Sequence, residues 1–301
     1  MVVVRLLGAE RGTLLALAVG ALPLSLLPAY PLLALALLRR RRWLAVVAAA
    51  VVGAHLALIA PALTVAPRPA GTETAPRLRV VVANLYVQNP TPEAAGRELL
   101  ALRPDVLVVP ELDAGGLAGL RAAGVLDALP HKVVELGSRT ETVGLFSRLP
   151  LRDVSTRAAG GRRLPRATVE VDGTPVRLLA AHPLPPISGY ERAWRASLRD
   201  LAREAADLRT PAVMAGDFNA DRDHALLRSV LEAGMHDSHD DFGRGLARTW
   251  PSAVPLLQLD HVLLHDDAGV RLVAREVREV RLAGSDHRAV VADLSVVPAD
   301  G

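Results

Sequence analysis

Two long uncharged segments stand near the start of the chain. Residues 13–38 carry no charge over 26 positions, and residues 43–65 add 23 more after the basic block Arg39–Arg42. About 20 apolar residues are enough for a helix to cross a bilayer. Neither a buried core helix nor a cleaved signal peptide explains two adjacent segments of this length around an arginine block. The pattern therefore predicts a membrane anchor of about two spans over residues 1–65.

The charges around these segments predict a multi-pass orientation in the plasma membrane. Under the positive-inside rule Arg39–Arg42 stay in the cytoplasm, so the second segment crosses outward and residues 66–301 are extracytoplasmic. Arg5 and Arg11 also favour the cytoplasm, which requires an even number of crossings before the basic block. Because residues 13–38 are too few for two spans, their prolines are expected to break them into a short re-entrant hairpin.

A polar segment separates the anchor from the rest of the chain. Residues 66–77 are rich in Pro, Gly and Thr, which predicts an extended, exposed linker. Residues 78–297 then alternate apolar runs with segments of helical spacing, and strands outnumber helices. Two packed sheets flanked by helices are expected, rather than one doubly wound sheet. Strands are expected at 78–87, 105–110, 141–148, 167–171, 176–181, the first half of 213–220, 258–264, 270–273 and 289–296, and helices at 92–103, 188–208 and 221–233.

The distribution of charge along the chain bears on whether the protein binds nucleic acid. Residues 1–70 hold seven arginines and one acidic residue, which leaves 28 basic and 31 acidic residues in 71–301. A protein that binds duplex nucleic acid usually presents a basic face, so nucleic acid stays open as a partner but is not favoured. The chain has no cysteine, which excludes disulfides and thiolate metal sites.

Polar residues stand at the ends of many apolar runs. A single strand-end Asn or Asp is more often a turn former than a ligand. A set of eight residues, all of types that bind metals or transfer protons, favours a functional site at one end of the sheets. They are Asn84, Glu111, His182, Asp217, Asn219, Asp260, Asp286 and His287.

These positions carry a family resemblance. Over residues 78–297 the chain resembles the endonuclease/exonuclease/phosphatase family, and the resemblance implies the DNase I-like fold, a four-layer α/β sandwich. The Pro110 position commonly holds Gln in that family, and the sequence after His182 differs from that of typical DNA nucleases. Together with the anchor, this second departure resembles membrane-tethered bacterial members, some linked to teicoplanin resistance and lipid-linked phosphate chemistry. The motifs that carry the resemblance are Asn84, Pro110-Glu111, Gly144-Leu-Phe-Ser-Arg148, His182, Gly216-Asp-Phe-Asn219, Leu259-Asp-His261 and Ser285-Asp-His287.

The requirements of phosphoester hydrolysis favour a divalent-metal site among these residues. Hydrolysis needs neutralisation of the phosphate oxygens, an activated water and a stabilised leaving oxygen. Hard oxygen ligands suit Mg²⁺ or Mn²⁺. Glu111 is expected to be the principal metal ligand, with Asn84 and Asp286 close to the metal.

The other five residues are expected to act on the substrate. His287 is the candidate general base or phosphate contact, and the family resemblance gives it Asp260 as the orienting carboxylate. Asp217 would position or deprotonate the attacking water, while Asn219 and His182 would donate to the phosphate. The choice of base between Asp217 and the His–Asp pair stays open.

Several other polar and aromatic residues are expected to be structural. His261 follows Asp260 and should point to the opposite face of its strand. The polar loop 235–248, with its His and Asp residues, is expected to be solvated rather than a metal site. Trp250 is equally consistent with a pocket wall or a structural role, and His55 is expected to be a satisfied polar residue within the helices.

The sequence thus predicts a membrane-anchored, divalent-metal-dependent phosphoesterase. Its substrate would be a phosphate ester or anhydride at the outer membrane surface, with lipid-linked phosphates favoured because the anchor holds the domain near them. Two alternatives are a surface-tethered nuclease and a non-catalytic membrane scaffold that keeps the fold.

Overall fold

The computed structural model describes residues 2–6, 10, 12–135 and 142–299. The described strands form two six-stranded sheets, in the orders β11-β12-β1-β2-β4-β3 and β5-β6-β7-β8-β10-β9. In chain order the strands are β1 Arg77–Val82, β2 Val106–Pro110, β3 His131–Glu135, β4 Val143–Ser147, β5 Arg152–Ala159, β6 Arg162–Val171, β7 Thr174–Ala181, β8 Ala212–Asp217, β9 His236–Asp237, β10 Asp260–His265, β11 Val270–Arg281 and β12 Arg288–Pro298.

Helices cover the outer faces of both sheets and form the first part of the chain. A 3₁₀ turn, Ala60–Leu63, follows the fifth helix. The helices are α1 Val2–Leu6, α2 Thr13–Gly20, α3 Leu22–Leu26, α4 Ala29–Leu38, α5 Arg42–Ile59, α6 Pro92–Ala101, α7 Ala114–Ala122, α8 Val125–Ala128, α9 Glu191–Ala206, α10 Ala225–Glu232 and α11 Ser238–Asp241.

The central strands of each sheet explain the layering. Every residue of β2 and β8 is buried, because one face packs on the other sheet and the other face packs on helices. One apolar cluster lies between the sheets and under α9 and α10, and a second lies under α6, α7 and α8. The predicted four-layer α/β sandwich is therefore confirmed.

Elements that the sequence did not predict lie mostly at the edges. β5 is an edge strand whose residues are largely exposed, so it lacks an apolar run. β11 continues to Arg281, beyond the expected end at residue 273, and most of its later residues are half-buried or exposed and form no continuous apolar run. The expected strand 141–148 corresponds to β4, and Glu141 lies outside the described residues.

The first helices include one candidate membrane span. By length and composition Arg42–Leu63 is apolar enough to cross a bilayer, and Thr13–Gly20 with Leu22–Leu38 would make a second span, bent by 67°. Trp43 is 84% exposed and Val46 is 61% exposed, which is unusual for a soluble core helix. A bend of this size is compatible with a broken span or with a re-entrant loop, so the expected re-entrant hairpin stays a prediction. His55 Nδ1 hydrogen-bonds Tyr30 Oη at 2.9 Å, as expected for a satisfied residue.

The N-terminal residues bind the two-sheet domain. Arg5 Nε lies 2.6 Å from Asp223 Oδ1, and the Glu10 carboxylate accepts a hydrogen bond from the Ala225 backbone N–H at the start of α10. Both acidic side chains are largely buried in this contact. This contact places Arg5 and the domain on the same side of any bilayer, so a cytoplasmic Arg5 and an extracytoplasmic domain, both expected from the sequence, are incompatible. Arg11 lies outside the described residues.

The predicted linker is largely exposed but follows the domain surface. The Ala66 N–H donates to Asp241 O at 3.2 Å, and Arg275 Nη1 donates to Thr72 O at 2.7 Å. Thr72 is buried by this contact. The segment therefore fixes the distance between the end of the candidate span and the domain.

The loop 235–248 forms a buried ionic network, so its expected solvation is wrong. Asp237 Oδ2 lies 2.6 Å from His261 Nδ1, and Asp237 Oδ1 lies 3.2 Å from His239 Nδ1. His239 Nε2 is in turn 3.3 Å from Glu279 Oε1. β9 and α11 fold these groups under β10 and β11, where each imidazole is paired with a carboxylate. His261 thus faces away from Asp260, as predicted.

The pKa of His239 is expected to make stability depend on pH. Burial lowers this pKa, but Asp237 and Glu279 outweigh burial and raise it to about 9, from an ordinary value of 6.5. The stabilisation is fully present below the ordinary value and is lost as pH rises through about 9. At about 1.4 kcal/mol for each pKa unit, the loss is at most ~3 kcal/mol.

Thermal unfolding of the detergent-solubilised protein measures this effect. The wild-type midpoint should fall between about pH 6 and pH 10, and His239→Gln should show a smaller fall, since one of the paired imidazoles is gone. His265→Gln, outside the network, should keep the wild-type slope. Equal slopes for His239→Gln and wild type would contradict the assignment.

Candidate active site

Strand ends from both sheets meet at one edge. β1 and β2 are parallel, as are β7 and β8, so the residues after their carboxyl ends lie together. β10 and β12 run antiparallel to β8 and β1, so the residues at their starts reach the same edge. The residues gathered in this way are Asn84, Glu111, His182, Asp217, Asp260 and His287.

One group at this edge has the spacing of a metal site. Ligand atoms of Glu111, His182 and Asp217 all lie within 4.8 Å of one another. Asn84 Nδ2 donates to Glu111 Oε1 at 3.2 Å and to Asp217 Oδ2 at 3.0 Å, which joins the two sheets. The Val87 N–H donates to Glu111 Oε2 at 3.1 Å. Glu111 is thus held at the edge by an amide and a backbone N–H.

A second group shares Asp217. Ligand atoms of Asp217, Asp260 and His287 also lie within 4.8 Å of one another. His287 Nδ1 is 2.8 Å from Asp260 Oδ2, and His287 Nε2 is 3.8 Å from Asp217 Oδ2. Thr249 Oγ1 accepts hydrogen bonds from the Leu259 and Asp260 backbone N–H groups. The His–Asp pair expected from the family resemblance is present in the structure.

The turn after β8 is shaped by close contacts. Gly216 has φ 156°, and a Cβ there would lie 1.8 Å from Ala181 O, so only glycine fits. The Asn219 N–H donates to Asp217 Oδ1 at 2.8 Å, which fixes the carboxylate. Asn219 Nδ2 donates to Pro183 O at 3.0 Å.

Two site residues adopt the left-handed backbone region. Glu111 has φ 54° and Asn219 has φ 48°. This conformation is uncommon for residues with a side chain and costs about 1–3 kcal/mol, and it clusters at functional sites. Here it turns both side chains back toward the edge where the strands end.

The buried charges shift the pKa values of three residues. Burial lowers the pKa of the His287 imidazole, but Asp260 and Asp217 outweigh burial and raise it to about 10. Burial raises the pKa of Asp217 to about 7, against the opposing effect of His287. Burial and the nearby Arg162 hold the pKa of His182 well below its ordinary value. At neutral pH the edge therefore holds a charged His287 and a neutral His182.

The donor set fits a hard divalent cation. Carboxylates outnumber cations here, and hard oxygen ligands of this kind suit Mg²⁺ or Mn²⁺. The buried atoms Asp260 Oδ1 and His182 Nδ1 have no hydrogen-bond partner, and such orphaned groups need a ligand. Asp286 Oδ2 instead accepts from Trp250 Nε1 at 3.2 Å, and Asp286 belongs to neither group of close ligand atoms among the described residues.

A cleft of about 230 Å³ opens beside these groups. It exposes Glu111, Asp286 and His287 on one side, and Trp250 lines it, in agreement with one of the two roles considered for that residue. Thr249, which holds Asp260, was missed because an isolated threonine gives no sequence signal. Several apolar residues of the cleft were not predicted to line it: Leu17, Gly20, Pro185, Pro186, Ile187, Leu257 and Leu259.

Solved structures with a similar fold come from several organisms. D. rerio TDP2 complexed with a single-stranded DNA product is 17% identical, covering 73% of this chain and 99% of that chain, with TM-score 0.61. An endonuclease/exonuclease/phosphatase from Beutenbergia cavernae DSM 12333 is 21% identical, covering 73% and 72%, with TM-score 0.54. Sphingomyelinase C from Streptomyces griseocarneus is 19% identical, covering 72% and 99%, with TM-score 0.50. At such identities these similarities establish the fold alone.

Sequence comparison gives the family directly. No curated protein matches the chain. The pattern of the Endonuclease/Exonuclease/phosphatase family matches residues 81–287, which is more than half of the chain and includes every residue of the edge. The chain therefore belongs to the endonuclease/exonuclease/phosphatase family.

Proposed function

We propose that this protein is a membrane-anchored, divalent-metal-dependent phosphoesterase whose domain lies outside the cytoplasm. The observation that carries the proposal is the meeting of Glu111, Asp217 and the Asp260–His287 pair at one cleft. A scaffold would have no use for buried carboxylates that repel each other, because such groups destabilise a fold unless they are paired. The tethered bacterial subgroup expected from the sequence stays a prediction.

Glu111 would be the principal ligand of Mg²⁺ or Mn²⁺. Asn84 and Asp217 border the same position, and Asp286 would approach from the cleft. When bound, the cation supplies charge neutralisation on the phosphate oxygens. Asn84 holds Glu111 and Asp217 side by side through its amide.

The remaining residues would act on water and phosphate. His287 Nδ1 is engaged by Asp260, so Nε2 is the free donor toward a phosphate oxygen. Asp217 would accept a proton from the attacking water, and the oxygen of that water would bond to phosphorus as the bond to the leaving oxygen breaks. The leaving oxygen would take up a proton from solvent. His182 and Asn219 would donate to the phosphate. The high pKa of His287 supports Asp217 as the base.

The position of the domain supports a lipid-type substrate over nucleic acid. A short linker keeps the cleft close to head groups and raises the effective concentration of lipid-linked phosphates. The domain carries no net basic excess, which disfavours duplex binding. Within the same fold, one similar protein is a sphingomyelinase and another holds a single-stranded DNA product, so a nuclease is the alternative that a substrate panel must exclude.

Substitution of the edge residues should abolish hydrolysis. Glu111→Gln and His287→Gln should each lower kcat/KM for phosphoester substrates by at least about 100-fold, since each removes a charge that acts on the phosphate. The measurement is release of product by full-length protein, and EDTA should stop it until Mg²⁺ is restored. Glu170→Gln and His265→Gln are matched controls away from the cleft. Full activity of Glu111→Gln would overturn the site assignment.

The proposed topology can be tested by thiol labelling, because the chain has no cysteine. Glu170 is an exposed position on β6, and Glu170→Cys should react with a membrane-impermeant maleimide in intact cells. Arg41→Cys, in the turn between α4 and α5, should react only after permeabilisation, since the other three arginines of the block keep that turn inside. The reverse pattern would place the domain in the cytoplasm.

A further inference from the structure

The helix α2 forms part of the active-site cleft. Leu17 and Gly20 line the same cavity as Glu111, Asp286 and His287. This N-terminal helix was expected to be only part of the anchor. Because it lies beside these groups, α2 can contact a substrate bound in the cleft.

α2 is attached to the domain by specific contacts. His224 Nε2 hydrogen-bonds Ala16 O at 3.0 Å, and the Gly12 N–H donates to Glu191 Oε1 at 2.8 Å. Ala16 and Val19 are fully buried against the domain. At Gly20 a Cβ would lie 3.0 Å from His224 Cε1, so glycine allows the close approach. The helix is therefore a fixed wall of the cleft.

The wall that α2 contributes is apolar and accessible. Leu17 is 46% exposed, and Ile187, also in the cleft lining, is 43% exposed. Leu257 and Trp250 extend the apolar surface toward Asp286. Exposed apolar surface next to a charged site stabilises a ligand only if that ligand also has an apolar part, because burial of apolar area is the source of the free energy.

The same surface continues toward the candidate spans. α2 meets Leu22–Leu38 at the 67° bend, so the cleft lies where a span reaches the domain. Leu27 and Leu35 on that segment are 47% and 50% exposed. The segment that follows α2 therefore also presents exposed apolar side chains.

We propose that Leu17 is a specificity-determining residue: with Ile187 it binds the apolar chain next to the phosphate of a lipid-linked phosphate. This rests on the proposed function and extends it, since the N-terminal helix becomes part of the substrate site. The charged edge binds the phosphate, and α2 selects phosphates that carry an apolar chain over water-soluble ones.

Binding of n-alkylphosphonates to the full-length protein with Mn²⁺ tests this without depending on turnover. Methyl to dodecyl phosphonates share one head group and differ only in the apolar chain. Affinities are measured by calorimetry at one fixed detergent concentration, so that partitioning of each ligand into micelles is the same for every variant. Wild type should bind more tightly as the chain lengthens.

Leu17→Gln should weaken binding of the dodecyl compound by about tenfold, which is the usual size of an effect in an apolar pocket. It should leave the affinity for methylphosphonate unchanged. Leu17→Met keeps an apolar side chain and should keep the wild-type dependence of affinity on chain length. Leu14→Gln changes the same residue type in the same helix at a position 83% exposed and outside the cleft lining, and should behave as wild type.

The outcomes separate the two proposals. If methylphosphonate fails to bind wild type at all, the phosphate site of the proposed function is wrong. If methylphosphonate binds but affinity is independent of chain length, or if Leu17→Gln and Leu14→Gln respond alike, the role of Leu17 is overturned and the phosphoesterase proposal stands.

Discussion

The antiparallel pairing of β8 with β10 sets Asp217 opposite Asp260, and the rest of the edge depends on this constraint. Both carboxylates are almost fully buried. Two negative charges buried side by side repel each other and destabilise the fold unless cations lie between or beside them. His287 supplies one positive charge and pairs with Asp260 Oδ2. The other oxygen, Asp260 Oδ1, is buried without a hydrogen-bond partner. The fold therefore holds a carboxylate-rich site that a further cation would stabilise.

The two sheets contribute different residues to this site. The first sheet supplies Asn84, Glu111 and His287, and the second supplies His182, Asp217 and Asp260. The hydrogen bonds of Asn84 and the His287–Asp260 pair both cross from one sheet to the other. Because the site is assembled across the interface of the sheets, core packing and site geometry are coupled. The N-terminal helix α2 adds a third component, and it connects the candidate membrane span to the rim of the cleft.

Much of this arrangement could be predicted from the sequence. Strand-end residues such as Glu111 and Asp217 follow short apolar runs, and parallel order brings such ends together. The partnership of Asp260 with His287 came from the family motif and not from spacing, since 27 positions separate them. The edge strand β5 was missed because exposed strands lack an apolar pattern.

Other features depend on tertiary contacts that leave no local pattern. The loop 235–248 looks solvated in sequence, yet Asp237 is buried because His261 and His239 pair with it. Leu17 stands in a uniformly apolar run, so nothing in the sequence distinguished it from its apolar neighbours. The contact of Arg5 with Asp223 was not predicted, because the positive-inside rule does not account for an acidic partner on the domain.

The central claim is that the strand-end carboxylates form one divalent-cation site. Titration of the full-length protein with Mn²⁺, followed by the electron paramagnetic resonance signal of the free ion, tests it without a substrate. The account predicts saturable binding in wild type and Glu170→Gln, and loss of that binding in Glu111→Gln and Asp217→Asn. Wild-type binding retained in both edge variants, or no saturable binding in wild type, would contradict it.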